Sequence, residues 1–344
     1  MGDRITGLIL GAAVGDALGL PAEGMSANRI ARRWPGALQH RFLFGRGMVS
    51  DDTEHVFFTA QSLLEAGNDV AVFRRALARR LRWWLLALPA GVGLATARSI
   101  VKLWLGWNPA KSGVWSAGNG PAMRSAVIGA RFAEDETKIR AFVEASTCMT
   151  HRDPKANTGA LAVALGAAAV IRGAASDDAL IHTWQTLSSD EEWQRAMALL
   201  RAELARGSSV VAFSEVLSGK RKREVSGYIY RTVPVALYAW LRHRGDFRAT
   251  LQEVIACGGD TDTVATIAGA LAGSECGEKG IPAEWISGIC EWPRSTRVLR
   301  EIASRAADQN CRTPVSYVVA GVIPRNVFFL GVVLTHGFRR LIPG

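Results

Sequence analysis

The run CGGDTDTVATIAGALAGS, Cys257 to Ser274, constrains the fold more than any other stretch. Gly258 and Gly259 favour a turn, whereas Val264, Ile267, Ala268 and Leu271 recur at helical spacing until Gly273 and Ser274 stop the pattern. A helix apolar on most sides has to be enclosed by other elements. Asp260 to Thr263 therefore stand at the mouth of an enclosed helix, and Asp260 and Asp262, two apart in a non-helical approach, present their carboxylates to one point. Asp and Thr are ordinary helix caps, but adjacent carboxylates repel and only one can cap. Taken alone, the stretch is either an elaborate cap or a site for a hard cation fed by oxygen ligands.

A second stretch has the same form. MVSDDTEHVFFTAQSLLEAG opens with Ser50, Asp51, Asp52, Thr53 and Glu54, continues with Val56, Phe57, Leu63 and Leu64 at helical spacing, and stops at Gly67. The helix dipole favours acids in a first turn, so this stretch by itself has a structural explanation. Together, the two entrances would bring Ser50, Asp51, Asp52, Asp260, Asp262 and Thr263 to one place, if they meet in space. Four carboxylates and two hydroxyls suffice for two magnesium- or manganese-class ions sharing a bridging carboxylate. Without cations the carboxylates would repel strongly or take up protons.

Alternating β-branched runs are scarce, and Ala, Leu, Arg and Glu dominate segments such as Val70 to Leu88 and Asp190 to Ala205, so a mostly helical fold is expected. No Pro-, Ser- or charge-rich linker divides the 344 residues. One large domain over residues 1–310 with an apolar and basic extension over 311–344 is the expected organisation. Five cysteines without a CxxC pair argue against a disulfide framework and a thiolate zinc site, and suit a reducing cytoplasm. The net charge of +10 is spread over Arg74 to Arg82, Lys220 to Arg223 and Arg339 to Arg340. It suits an anionic partner, whether nucleic acid, phospholipid or a phosphate-bearing small molecule, without choosing among them or naming a firm nucleic-acid partner. MGDRIT matches a myristoylation pattern, and Ile5 to Leu20 has the length of a signal core that Asp16 interrupts. The tail from Val315 to Thr335 is apolar, and Pro324, Arg325 and Asn326 are expected to split it into pieces too short for a bilayer of about 30 Å. Packing on the body or peripheral contact with a membrane surface is expected of it.

Five stretches in order, GLILGAAVGDALGLPAEG, SDDTEHV, SAGNGPAMRSAVIGA, THRDPKANTGALAVA and GGDTDTVATIAGALAG, resemble the motif series of the ADP-ribosylglycohydrolase family, and they span Gly7 to Gly273. The resemblance implies an all-helical orthogonal bundle with a binuclear metal site at helix N-termini. It also implies a metal-dependent hydrolase that cleaves the glycosidic bond at the anomeric carbon to remove ADP-ribose from an ADP-ribosylated protein or other acceptor. The implied ligands of two divalent cations, Mg2+ or Mn2+, are Ser50, Asp51, Asp52, Asp260, Asp262 and Thr263, with Ser50 where many members carry Thr. Glu23, Asp51, Asp52 and Asp260 are the implied catalytic acids, and Glu23 or a metal-shell aspartate would take the proton of a positioned water. Gly118, Asn119, Gly120, Met123 and His151 are the implied ADP-ribose contacts, the glycine turn offering exposed amides to a pyrophosphate.

One departure bears on the acceptor. Arginine-directed members place an acid near the guanidinium, and LPAGVGLATARS has Ala90 or Gly91 there, with no acid between Arg74 and Asn108. Arginine is therefore not the expected acceptor. Trp83, Trp84, Trp104, Trp107 and Trp115 flank this region, with core packing as their expected role and an adenine or acceptor as the other. Two further readings compete: a catalytically silent ADP-ribose-binding protein of the same fold, and a basic protein that binds nucleic acid or a membrane surface. A monomer is expected.

Overall fold

The computed structural model describes residues 1–42, 44–173, 176–219 and 224–341, so the basic run at Lys220 to Arg223 lies outside the described residues. The chain begins with α1 (Gly2–Gly19), α2 (Ala27–Arg33), α3 (Asp51–Ala66), α4 (Val70–Leu86), α5 (Leu94–Trp104) and α6 (Gly120–Met123). It continues with α7 (Ala126–Arg131), α8 (Glu136–Thr147), α9 (Pro154–Arg172), α10 (Asp177–Gln185), α11 (Glu191–Arg206) and α12 (Val210–Ser218). The remaining helices are α13 (Ile229–Arg242), α14 (Phe247–Ala256), α15 (Thr261–Gly280), α16 (Ala283–Gly288), α17 (Thr296–Ala307) and α18 (Val322–Leu341). Among the described residues, sheet is confined to a two-residue antiparallel ladder, β1 (Met25–Ser26) on β2 (Gly258–Gly259), plus isolated bridges. The all-helical expectation holds.

The starts of the helices follow local chemistry. Asp69, Asp135, Asp153, Asp190 and Asp246 each accept a backbone N–H at the start of α4, α8, α9, α11 and α14. Gly173 and Gly207 end α9 and α11 in the left-handed conformation, which closes the last carbonyls.

Two apolar helices, α1 and α15, run antiparallel through the centre and touch backbone to backbone. Gly7, Gly11, Gly15 and Gly19, one per turn of α1, face Gly273, Gly269, Ala265 and Thr261 of α15. A methyl group added at Gly11 would stand 2.2 Å from the Gly269 carbonyl oxygen, so no larger residue fits this seam. The close seam also carries α15 regularly past Gly273 and Ser274, where the sequence pattern ends, to a break at Gly277 (φ 70, ψ 178). Around this pair the interior is filled by α9, α13 and α14 and by the buried Trp184, Trp193 and Trp240. Each indole N–H is satisfied, for example Trp184 Nε1 on Ala162 O at 3.0 Å and Trp240 Nε1 on Glu275 Oε2 at 2.9 Å.

The tail differs from the expectation that Pro324, Arg325 and Asn326 would split it. Val322 to Leu341 is one helix, because Pro324 lies in its first turn, where a missing N–H costs nothing. Arg325 and Asn326 turn inward. Arg325 Nη2 donates to Glu291 Oε2 and to Val49 O, both at 2.6 Å, and Asn326 Nδ2 donates to Ala87 O at 2.7 Å. Phe329 closes a small cluster with Leu20, Phe42 and Met48. Farther along, His336 Nε2 lies 3.0 Å from Pro21 O and Arg340 Nη2 donates to Glu23 O at 2.8 Å. Among the described residues three helical stretches are long and apolar enough to cross a membrane, Gly2–Ala22, Pro154–Arg172 and Val319–Arg340, and the first two are core helices of the body.

Candidate functional site

The two acidic helix entrances meet. The N-terminus of α15 is set by its seam with α1, where Thr261 Oγ1 donates to Gly19 O at 2.8 Å, and by the Gly24 N–H on Gly259 O at 2.7 Å. The N-terminus of α3 is tied to α1 by Asp16. This buried carboxylate accepts the Ser50 N–H at 2.9 Å, the Thr53 N–H at 3.0 Å and the Thr53 hydroxyl at 2.5 Å. Burial raises the Asp16 pKa to about 6 against the lowering effect of these donors. One helix thus positions both entrances.

Between them lies a cavity of about 590 Å³. Glu23, Ser50, Asp51, Asp52, Gly118, Asn119, Gly120, Met123, His151, Asp260, Asp262 and Thr263 all line it, so every candidate residue of the sequence reading faces one space. Where the capping explanation could be tested, it fails for the aspartates. The α3 cap is Ser50, whose Oγ accepts the Asp52 N–H at 3.2 Å, and α15 has no side-chain cap although Asp260 occupies the cap position. Elsewhere this chain uses aspartate caps freely. Here Asp260 Oδ2 accepts from Asn119 Nδ2 at 2.6 Å instead, and Asp52 Oδ2 accepts from the hydroxyls of Ser50 and Thr263, each at 3.2 Å. Asp52 Oδ1 and Asp262 Oδ1 are buried with no hydrogen-bond donor.

Electrostatics agree with that geometry. The carboxyls of Asp51, Asp52 and Asp262 lie well above the usual range, first through burial and then through their acidic neighbours. Glu23 is raised by burial and by the charge of Asp260. Among the described residues no three acid, His or Cys side chains close on a single point. The acids line the cavity together with the hydroxyl residues Ser50 and Thr263.

Some readings need correction. The Gly118 N–H is taken by Ser116 Oγ at 3.2 Å and the Asn119 N–H by Gly227 O at 3.0 Å, so these two amides are not free to bind an anion. The glycines pack closely on His151: a methyl at Gly118 would stand 2.9 Å and one at Gly120 3.2 Å from its ring. His151 Nδ1 lies 2.9 Å from Thr150 Oγ1, and burial with the nearby Arg124 lowers its pKa to about 3, so the ring is neutral. Glu54, the next acid of the α3 entrance, points away from the cavity to Arg294 at 2.5 Å and to the Trp84 indole N–H at 2.6 Å. Of the five flanking tryptophans only Trp84 is buried, and none lines the cavity. Ala90 and Gly91 do line it, as do Leu20, Leu94, Phe329 and Val333. The last two belong to α18 and carried no sequence signal, because an apolar residue on a tail helix looks the same whether it faces a core or a cavity. The sequence marks Asn119 as a ligand contact, and its hold on Asp260 depends on a fold contact between residues 141 apart.

The profile of the ADP-ribosylglycohydrolase family matches residues 1–314. The chain is 30% identical over 321 residues to an uncharacterized protein of Archaeoglobus fulgidus, covering 91% of this chain and 98% of that one. It is 28% identical to the ADP-ribosyl-[dinitrogen reductase] glycohydrolase of Rhodospirillum rubrum, over 83% of this chain and 90% of that protein. With the ADP-ribosylhydrolase ARH3 of Gallus gallus the identity is 27%, over 82% and 88% of the two chains. A solved structure titled ADP-ribosylglycohydrolase-related protein complex superposes with a TM-score of 0.64 at 26% identity, covering 89% of this chain and 99% of that one. The chain belongs to the ADP-ribosylglycohydrolase family and is a hydrolase that removes ADP-ribose from a modified acceptor.

Proposed function

We propose that this hydrolase depends on two divalent cations, Mg2+ or Mn2+, held by Ser50, Asp51, Asp52, Asp260, Asp262 and Thr263, and that its acceptor is not arginine. The observation that carries the metal reading is the uncapped aspartates at two facing helix entrances, with Asp52 Oδ1 and Asp262 Oδ1 buried and without a donor. Hard oxygens left unpaired inside a protein fit hard cations, and positive charge there would relieve the mutual repulsion that raises the carboxyl pKa values. When bound, such ions supply Lewis acidity to the ribose hydroxyls and the attacking water.

The protein's own residues would divide the remaining work. Asn119 fixes the Asp260 carboxylate by a 2.6 Å hydrogen bond, which orients it without a helix-capping role. Glu23, raised by burial and by Asp260, has the proton affinity to accept a proton from water as the glycosidic bond opens through an oxocarbenium-like state. The neutral His151 ring forms the wall over Gly118 and Gly120. On the wall formed by Ala90, Gly91, Leu94 and Phe329 no carboxylate stands to pair a guanidinium, and the acids of the cavity are those assigned to the cations.

Two measurements test this. Asp262→Asn should lower metal content by elemental analysis and abolish hydrolysis while circular dichroism stays that of the wild type; unchanged metal content would refute the ligand assignment. A side-by-side panel of arginine-, serine-, nucleic-acid- and small-molecule-linked ADP-ribose should not rank arginine first.

A further inference from the structure

Among the described residues, the large apolar side chains that stand exposed, apart from Met1 and Val216, belong to a few stretches: Phe44, residues 83 to 115, Trp292, and residues 318 to 338. These stretches adjoin in space. Asn326 of α18 bonds the Ala87 carbonyl at the end of α4, Phe328 packs on Trp292 with ring centroids 5.4 Å apart, and Phe42, two residues from Phe44, packs on His336 at 4.8 Å. A large, contiguous exposed apolar face on a soluble protein marks a partner surface.

On α18 the exposed large apolar residues, apart from Phe328 beside Trp292, form one stripe. Ile323, Val327, Leu330, Leu334 and Phe338 fall within about 80° of arc at 3.6 residues per turn. The opposite side carries Arg325, Asn326 and Phe329, all buried in the body. Because both ends of the helix are bonded to the body, through Arg325 and Asn326 at one end and His336 and Arg340 at the other, α18 lies along the surface and does not stand out from it.

The rim of this face is aromatic and basic. Trp83 and Trp104 meet edge to face at 5.7 Å, the Arg82 guanidinium lies 5.9 Å from the Trp104 ring, and Lys102 lies 4.9 Å from the Trp107 ring. At the other side Arg29 and Arg33 donate to the carbonyls of Arg340 and Arg339. Residues 70 to 133 contain no acid, and none follows Asp308. A second copy of this chain docked by two-fold symmetry would set this basic rim against itself. An anionic bilayer supplies the countercharge, the interfacial level that tryptophan favours, and apolar depth for the α18 stripe.

We propose that this face, built from α18, Phe44 and the α4–α5 region, docks the enzyme on anionic membranes, with α18 in the plane of the interface and the cavity mouth beside it. Ala90 from the connection between α4 and α5, Leu94 at the start of α5, and Phe329 and Val333 of α18 line the cavity and join it to the face. A membrane-borne acceptor would therefore meet the site without leaving the lipid surface.

The test is co-sedimentation of the full chain with vesicles of phosphatidylcholine alone and of phosphatidylcholine with phosphatidylglycerol. The protein should pellet with the anionic vesicles, with a blue shift of tryptophan fluorescence, and should be released by salt. Each basic residue near the surface is worth about fivefold in partitioning, so Arg82→Ala with Lys102→Ala should lower it by about twenty-five-fold. Leu334→Asp with Phe338→Asp should lower it more than tenfold, while circular dichroism and hydrolysis of a soluble substrate stay at wild-type values. No pelleting with anionic vesicles, equal pelleting with both vesicles, or unchanged partitioning of both double variants would overturn the proposal. So would a dimer in gel filtration that the Leu334→Asp, Phe338→Asp variant converts to monomer.

Discussion

The seam between α1 and α15 can be probed with a single methyl group. In Gly15→Ala the new Cβ would stand 2.1 Å from the Ala265 carbonyl oxygen, whereas ordinary contact begins at 3.4 Å. The obstacle is backbone, so relief requires the helices to part by about 1.3 Å at that turn, the difference of the two distances. Overpacking of this kind costs about 1–3 kcal/mol, and a backbone-to-backbone clash in the centre of the fold belongs near 3. With an unfolding entropy of about 2.1 cal/mol/K per residue, 3 kcal/mol corresponds to a fall of about 4 °C in Tm for a chain of this size. Gly15 adjoins Asp16, and Ala265 lies one turn from Asp260 to Thr263, so the same shift should open the distance between the two acidic entrances and lower kcat. Urea unfolding followed by circular dichroism reads the stability, and Gly337→Ala on exposed α18 is the control. No atom lies near the added methyl there, and it should stabilise the protein by about 0.5–1 kcal/mol. A Gly15→Ala midpoint equal to or above the wild type would refute the seam as the determinant of site geometry.

Further outcomes follow from other contacts. Magnesium or manganese at about one hundred times its Kd should stabilise the protein by about 2.7 kcal/mol, reversed by EDTA; a Tm that ignores both additions counts against the cation site. Asn119→Ala should leave Tm near wild type but lower kcat more than tenfold, since Asp260 loses the donor that orients it; an unchanged kcat would show that the bond has no catalytic value. Glu54→Gln removes one half of a buried pair with Arg294 and should cost about 3 kcal/mol or more, read as a lower urea midpoint. Phe329→Ala empties a small buried cluster beside the cavity and should cost about 3 kcal/mol while also raising KM; normal stability with normal KM would detach α18 from the site.

What could be read from the sequence was local or motif-borne. The two acidic entrances show in the order of acids, hydroxyls and apolar residues, and the family motifs place them together, so the cavity wall was legible residue by residue. Asp16 was visible as an acid interrupting an apolar helix, yet its bonds to Ser50 and Thr53 depend on a contact between α1 and α3 that no local pattern encodes. Glu54 was indistinguishable from its cavity-facing neighbours, because its partner Arg294 is 240 residues away. The tryptophans misled for a related reason: a bulky apolar residue is more often core, and only the packed fold shows which of them the core leaves out. Glycines every fourth residue from Gly7 to Gly19 were in plain view, and their meaning appears once the partner helix shows the same spacing.

That periodicity has a consequence for how the pair finds its alignment. The rungs repeat every four residues, so sliding α1 along α15 by four would set Gly11 against Gly273 and Gly15 against Gly269, both again small. Such a slip moves one helix by about 6 Å and would leave the apolar seam nearly as well filled. Small residues therefore fix how near the helices come, and at the rungs themselves two alignments fit. Directional bonds at both ends choose between them: near the site Thr261 Oγ1 on Gly19 O and the Gly24 N–H on Gly259 O, and at the far end the Glu278 N–H on Asp3 Oδ1 and Arg4 Nη1 on Val170 O. In the slipped alignment these bonds break, and Asp262 and Thr263 move a full turn from Ser50 to Asp52. The polar bonds at the two ends of the seam thus act as its index marks, and those near the site hold the acidic entrances in register.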